Sequence, residues 1–340
     1  MRNILNPLLD ILRRGDSAIF GTIVEQHGSA PRGSGAKMLV TADGTLYGTI
    51  GGGPVEGGSQ HRAATMFKED SDFLLLSYNL DNETAANAGM VCGGAVKVLL
   101  RRITPEHLPL FEEIKSAYAG RRRPVLVISL PADGVPQLTL LSNGTFIGAE
   151  LDEDTAGEVL HKTQKCRTPY TLGATSGLFY VEPQIDTGTL WLVGAGHVSL
   201  ATAKAAAFVD FTVRVMDDRA EFANSSRFPK AEDVQVLKDF SNCFPTLGPD
   251  DYVVIVTRGH SHDREVLEQA LANSPGYIGM IGSRKKRDTT YRLLQEKGVT
   301  EKQLTAVHCP IGLSIGADTP EEIAICIVGE LIRHRAGIER

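Results

Sequence analysis

From Thr189 to Glu296 the chain alternates short apolar runs with helix-length segments, and this rhythm limits the possible folds more than any other feature. The apolar runs are Thr189 to Val193, Thr212 to Met216, Tyr252 to Thr257 and Tyr277 to Ile281. Val198 to Val209, Arg264 to Asn273 and Lys285 to Glu296 read as helices. Strand and helix in alternation mean a parallel sheet, because parallel strands need a crossover and the crossover packs back onto the sheet as a helix. A last helix starts at Thr319-Pro320-Glu321-Glu322, where threonine caps, proline takes the first helical position and glutamate follows three residues after the cap.

The first half reads differently. Leu5 to Arg14 is predicted as an amphipathic helix and Ala18 to Val24 as a strand, and Lys37 to Val40 and Thr45 to Ile50 flank the hairpin signal Ala42-Asp43-Gly44. Val55 to Phe67 reads as a helix, Val91 to Ile103 as a strand, Pro105 to Ala119 as a helix and Pro124 to Leu130 as a strand. Turns at Gly134, Asn143-Gly144 and Gly148 then separate shorter strands up to Val181, and Pro183 to Gly188 is a polar linker. No internal repeat or low-complexity segment is evident. The expected α/β architecture is an N-terminal mixed α+β domain over 1–183, followed over 189–340 by a C-terminal Rossmann-like doubly wound parallel sheet.

At 340 residues the chain is long enough for two domains with proper cores. Its net charge of -6 argues against a nucleic-acid or anionic-membrane partner, and its basic runs, Arg121-Arg122-Arg123 and Arg284-Lys285-Lys286-Arg287, are short. No apolar run approaches the ~18 residues that span a bilayer, and the start lacks a signal-peptide layout, so a soluble cytoplasmic protein is expected. Five scattered cysteines without a Cys-x-x-Cys pair argue against a zinc ribbon and a disulfide framework.

Two regions carry ligand chemistry. Leu190 to Ser199 is a strand, a glycine turn and a helix start, with Asp217 ending the next strand 21 residues after Gly196. Gly194 suits the tight turn, Gly196 lets a phosphate reach the backbone beside His197, and an acid at Asp217 suits a ribose diol. Ser199 replaces the third glycine of that pattern. Downstream, His260-Ser261-His262-Asp263 lies at the carboxyl edge of the sheet, where it suits ligand hydrogen bonding better than an incomplete metal site.

The second region runs from Gly21 to Glu56. Glycines alternate there with Arg32 and Lys37, and Gly51-Gly52-Gly53 stands at a strand-to-helix turn, an arrangement suited to an anion. Arg32 and Lys37 read either as cations of that pocket or as surface charges, and Glu56 either as a partner of its own helix dipole or as a ligand contact. Cys92-Gly93-Gly94 places a thiol between small neighbours, either beside a soft metal centre or as a small buried residue.

Taken together, these blocks resemble the XdhC/CoxI family of accessory proteins for molybdenum hydroxylases such as xanthine dehydrogenase. The likeness spans nearly the whole chain: Ser29-Ala30-Pro31-Arg32, Gly48 to Gly53 with Glu56, Cys92-Gly93-Gly94, Gly194 to His197, Asp217-Asp218-Arg219, His262-Asp263, Tyr277 to Arg284, Pro310 to Leu313 and Thr319 to Ala324. The resemblance implies a chaperone that binds molybdenum cofactor, guards it while a cysteine desulfurase installs its sulfido ligand, and delivers it to the hydroxylase. Arg32, Lys37 and Gly51 to Gly53 would then face the phosphate and pterin end, and Cys92 the molybdenum. Many relatives carry cysteine where this chain has Pro54, which leaves Cys92 as the candidate thiol. An NAD(P)-dependent oxidoreductase using Gly194 to Asp217 with His260 or His262 as acid or base is the alternative, and an adaptor that never touches cofactor is a third reading. A homodimer is expected from the prevalence of twofold symmetry.

Overall fold

The computed structural model describes residues 1–28, 30, 32–80, 94–120, 122–164, 166–185, 188–258 and 260–338. The chain divides after Ile185 into two compact units.

In the first unit, helix α1 (Arg2–Arg13) precedes β1 (Ala18–Gly28), β2 (Lys37–Thr41), β3 (Leu46–Thr49), α2 (Gly53–Glu69), β4 (Phe73–Leu80) and β5 (Gly94–Ile103). A 3-10 turn at Pro105–His107 leads into α3 (Leu108–Ala119), followed by β6 (Val125–Ser129), β7 (Leu138–Ser142), β8 (Thr145–Gly148), α4 (Glu153–Thr163), β9 (Tyr170–Ala174) and β10 (Gly177–Pro183). Strands β1–β5 form an antiparallel sheet in the order β3-β2-β1-β5-β4, and β6–β10 form another in the order β8-β7-β6-β10-β9. The second sheet therefore repeats the topology of the first, helix by helix and strand by strand.

This duplication corrects the expectation of no internal repeat. Its clearest trace in sequence lies in the hairpins: Asp43-Gly44-Thr45-Leu46-Tyr47-Gly48 has its counterpart, 100 residues on, in Asn143-Gly144-Thr145-Phe146-Ile147-Gly148. Gly48 and Gly148 both have positive φ, 73° and 97°. A Cβ would lie 2.6 Å from the Lys37 carbonyl at Gly48 and 2.3 Å from the Leu138 carbonyl at Gly148, so both hairpins need glycine for the same steric reason. Helix α4 stands where the sequence pattern suggests only strands and turns.

Both sheets are buried on two faces, which explains their near-continuous apolar runs. Phe20 and Val24 of β1 and Leu126 and Ile128 of β6 share one core with α1 and α3, whereas Ile19 and Ile23 face a second core with α2. Val125 and Val127 face a third core with α4.

The second unit contains β11 (Thr189–Val193), α5 (His197–Phe208), β12 (Thr212–Asp217), β13 (Asp233–Val236), β14 (Asp251–Ile255), α6 (His260–Asn273), β15 (Tyr277–Met280), α7 (Arg284–Gln295), α8 (Glu301–Thr305), β16 (Val307–His308) and α9 (Pro320–Arg335). Its sheet is wholly parallel, in the order β13-β12-β11-β14-β15-β16. Counted within the unit this is 3-2-1-4-5-6, the doubly wound dinucleotide-fold order, with its switch point between β11 and β14. Alternate residues feed opposite cores: Trp191 and Val193 pack with α6, Leu190 and Leu192 with α5 and α9. The expected cap of α9 is present, with the Glu322 amide donating to Thr319 and the Thr319 amide to Glu322.

Candidate functional site

In the first sheet, β1, β3 and β4 end at the edge where β2 and β5 begin. The Arg32 loop, the glycine turn after Thr49 and Gly94 therefore emerge at one edge. Gly94 pairs with both Gly28 and Leu80, and Ala30, Ala36, Ile50, Val55, Leu80 and Val96 share one apolar cluster beneath. Cys92 and Gly93, expected near the molybdenum, lie outside the described residues, as do Ser29 and Pro31.

Gly51, Gly52 and Gly53 all take positive φ, at 119°, 71° and 61°, so the turn depends on glycine. The amides of Ile50, Gly51 and Gly52 are not free for a ligand as expected. The Glu56 carboxylate accepts from the amides of Ile50 (2.9 Å) and Gly52 (3.3 Å) and from the Thr49 hydroxyl (2.5 Å), while the Gly51 amide donates to Thr49 Oγ1 (3.1 Å). Burial pulls the Glu56 carboxyl upward, but these hydrogen bonds outweigh it and hold its pKa below the usual 4.5. Glu56 thus occupies the seat that the glycines shape, as the dipole partner of its own helix.

The first unit's second module, the repeat formed by α3, α4 and β6–β10, builds the equivalent turn otherwise. Asp152 caps α4 by accepting from the Thr155 amide (2.8 Å), and its other oxygen accepts from Ser176 (2.7 Å). That cap is a side chain at the N-cap position; the cap of α2 is glycine, with the carboxylate supplied from within the helix.

Lys37 is placed differently from the ligand-facing cation expected. Its side chain is only 3% exposed, and the ammonium contacts Glu182 of β10 at 2.5 Å and donates to the Gly35 carbonyl at 2.8 Å. Glu182 also accepts from the hydroxyl of Tyr180 (2.9 Å), whose phenol burial and the neighbouring carboxylate push well above its ordinary pKa, so that it remains a donor. Lys37 therefore holds the end of the Arg32 loop to the second module. Arg32 itself is exposed. Glu182 carried no local sequence signal, since its partner Lys37 lies 145 residues away.

In the second unit, the glycine loop follows β11 at the switch point. A Cβ on Gly194, where φ is +108°, would lie 2.3 Å from the Val256 carbonyl of the adjoining strand, whereas a Cβ on Gly196 would meet nothing within 4 Å. The fold itself demands glycine at Gly194; at Gly196 only an approaching ligand would. His197, the first residue of α5, is exposed, and Ser199 is buried with no hydrogen-bond partner for its hydroxyl among the described residues.

Asp217 does not present a free carboxylate for a ribose. It is 1% exposed, and its oxygens accept from the Ala195 amide (2.7 Å), the Arg219 amide (3.0 Å) and the Arg219 guanidinium (2.8 and 2.9 Å). Burial raises its pKa, but Arg219 and the Ala195 amide dominate and lower it below 3.8. Asp217 clamps the glycine loop from inside, while Asp218 accepts from Arg258 (2.8 Å). The run Asp217-Asp218-Arg219 was the only sequence signal for this clamp.

At the start of α6, Asp263 is fully buried, accepts from Thr257 (2.6 Å) and is ion-paired with Lys286. His262 packs on Phe240 with ring centroids 4.7 Å apart, and the His260 side chain lies outside the described residues. Among the described residues no group of three or more His, Cys, Asp or Glu is placed to hold a metal ion. Burial pushes the Cys243 and Cys309 thiols up to about 12 and about 11, so both are inert at neutral pH. No described helix is long and apolar enough to cross a membrane.

A twinned antiparallel unit with glycine-turn chemistry at one sheet edge, joined to a doubly wound parallel unit, defines the class of protein. Residues 190–331 match the XdhC Rossmann domain and residues 11–79 match the XdhC and CoxI family, and the chain belongs to that family. It is similar to a probable xanthine dehydrogenase subunit of Bacillus subtilis (strain 168), at 29% identity over 345 residues and 98% of each chain. It is also similar to the molybdenum cofactor insertion chaperone PaoD of Escherichia coli (strain K12), at 23% identity over 97% of this chain and 87% of that protein. Among solved structures it resembles a crystal structure described as a xanthine dehydrogenase from Bacillus halodurans, with TM-score 0.79, 26% identity, and 99% of this chain and 97% of that chain covered.

Proposed function

We propose that this protein is an accessory factor that takes molybdenum cofactor as cargo, holds it while a cysteine desulfurase supplies its sulfido ligand, and passes it to a molybdenum hydroxylase of the xanthine dehydrogenase type. Family membership and the name of one relative, a molybdenum cofactor insertion chaperone, support an accessory role, and the name of the other, a probable xanthine dehydrogenase subunit, supports the client class. The observation that carries the reading to named residues is the convergence of the Arg32 loop, the Gly51 to Gly53 turn and Gly94 at one edge of the first sheet. In this proposal Arg32 meets the phosphate of the cargo, Glu56 and Lys37 fix the turn and loop that surround it, and Cys92 meets the molybdenum.

The test mixes apo-protein anaerobically with molybdenum cofactor, repurifies it and measures retained pterin by the fluorescence of its oxidised form. Retention above a non-binding control is expected. Retention at the level of that control would sink the proposal, and undiminished retention by Cys92→Ala would remove Cys92 from it.

One observation favours the second reading, an NAD(P)-dependent oxidoreductase: the open space beside Gly196 at the switch point. Against it stands Asp217, whose oxygens are already engaged by Ala195 and Arg219. Fluorescence titration with NADH and NADPH separates the two readings, since only the second requires saturable binding of a dinucleotide.

A further inference from the structure

We propose that the second unit carries a separate site for an organic oxyanion, a phosphate or carboxylate on an apolar body, in the cavity bounded by α7, α9 and the loop after β16. The cavity has a volume of about 600 Å³, within the range of small-molecule sites. Arg284 enters it from the first position of α7 and Arg333 from the last turn of α9. Neither guanidinium has a hydrogen-bond or ion-pair partner among the described residues. Other arginines of the unit are paired: Arg219 holds Asp217, Arg258 holds Asp218 and Arg287 holds Asp288.

Two unpaired cations facing one cavity repel each other, and an anion between them relieves that repulsion while accepting the forked hydrogen bonds a guanidinium is shaped to give. The one carboxylate that lines the cavity among the described residues does not do this. Glu330 is 1% exposed, and its oxygens accept from the Tyr277 hydroxyl (2.7 Å) and the Gly312 amide (3.1 Å), with His308 Nδ1 at 2.7 Å. It works as a wall brace, tying the Gly312 loop to α9 so that the loop does not collapse into the space. Leu313 and Ile323 supply apolar lining, which selects an anion with a hydrophobic body over a bare ion.

The inference does not rest on the cofactor proposal, and its test is independent of pterin retention. Full-length protein is titrated calorimetrically with phenyl phosphate, benzoate, inorganic phosphate and benzyl alcohol. Saturable binding is expected for at least one organic anion, more tightly than inorganic phosphate and with no binding of benzyl alcohol; the tighter of phenyl phosphate and benzoate names the head group. Arg284→Ala and Arg333→Ala should each weaken binding about tenfold, the loss of one charge-assisted pair. Arg264→Ala, outside this cavity, should leave it unchanged. Melting curves of the variants matching the wild type keep a binding loss from being read as unfolding. Absence of binding by both organic anions at millimolar concentration, or binding unchanged in the double arginine variant, would overturn the proposal.

Discussion

Lys37→Met is expected to destabilise the first unit severely while acting on ligand binding only through the fold. The Lys37 and Glu182 side chains are 3% and 9% exposed, and removing the cation leaves a buried carboxylate with only the Tyr180 hydroxyl as donor among the described residues. Breaking a buried pair from one side costs about 3–5 kcal/mol. For a unit of this size each kcal/mol lowers the melting temperature by about 2–4 °C, so a drop of about 6–20 °C is expected. In Lys37→Met/Glu182→Gln the charge is gone and the amide oxygen still accepts from Tyr180, so at least half of the loss should return. The assay is urea and thermal unfolding of both variants beside the wild type, with pterin retention measured below the transition. A loss under about 1 kcal/mol combined with abolished retention would refute the reasoning, because it would make Lys37 a ligand group and not a structural one.

Gly194→Ala should cost at least about 1–3 kcal/mol in thermal unfolding, since its Cβ would strike the Val256 carbonyl at a positive φ, whereas Gly196→Ala should melt within about 0.5 kcal/mol of the wild type. A ligand lost in Gly196→Ala would then be lost by direct contact. Glu56→Ala should speed hydrogen exchange at the amides of Ile50 and Gly52, and unchanged exchange would mean that the carboxylate does not hold them. Hydrogen bonds from the Thr155 amide and from Ser176 lower the Asp152 carboxyl from 3.8 to about 2. Its contribution is therefore complete above 3.8 and lost as pH falls toward 2. Asp152→Asn should be less stable than the wild type at pH 5 and converge with it near pH 2; a gap that stays constant across that range would contradict this.

The second unit was legible because its central strands β11, β14 and β15 are buried along their whole length and its helices follow a glycine or a capping residue, so local pattern and tertiary role agree. Where they disagreed, the sequence misled. Strand β13 is a four-residue edge strand, only half-buried at Asp233 and Val234 and exposed at Gln235 and Val236. Helix α4 carries Gly157 in a polar segment, and its formation rests on the Asp152 cap and on packing of Ala156 and Val159. At the candidate site the residue types were readable and their allegiances were not. Glycine abundance pointed to an open anion seat, but whether Glu56 fills it depends on how the first turn of α2 settles. Lys37 looked like a ligand group because Glu182, its partner, is distant in sequence.

The twinned architecture of the first unit supplies its own reference within the molecule. Most positions around the Gly51 to Gly53 turn have a counterpart around Asp152, reached by the same strands and preceded by the same hairpin. A change made at one can be made at the other in the same chain, under the same solution conditions and at identical concentration. Transplanting Gly51-Gly52-Gly53 and Glu56 onto the start of α4 then asks whether four residues are enough to reproduce there the anion binding proposed for the first edge, or whether that property needs the loop that Lys37 holds in place.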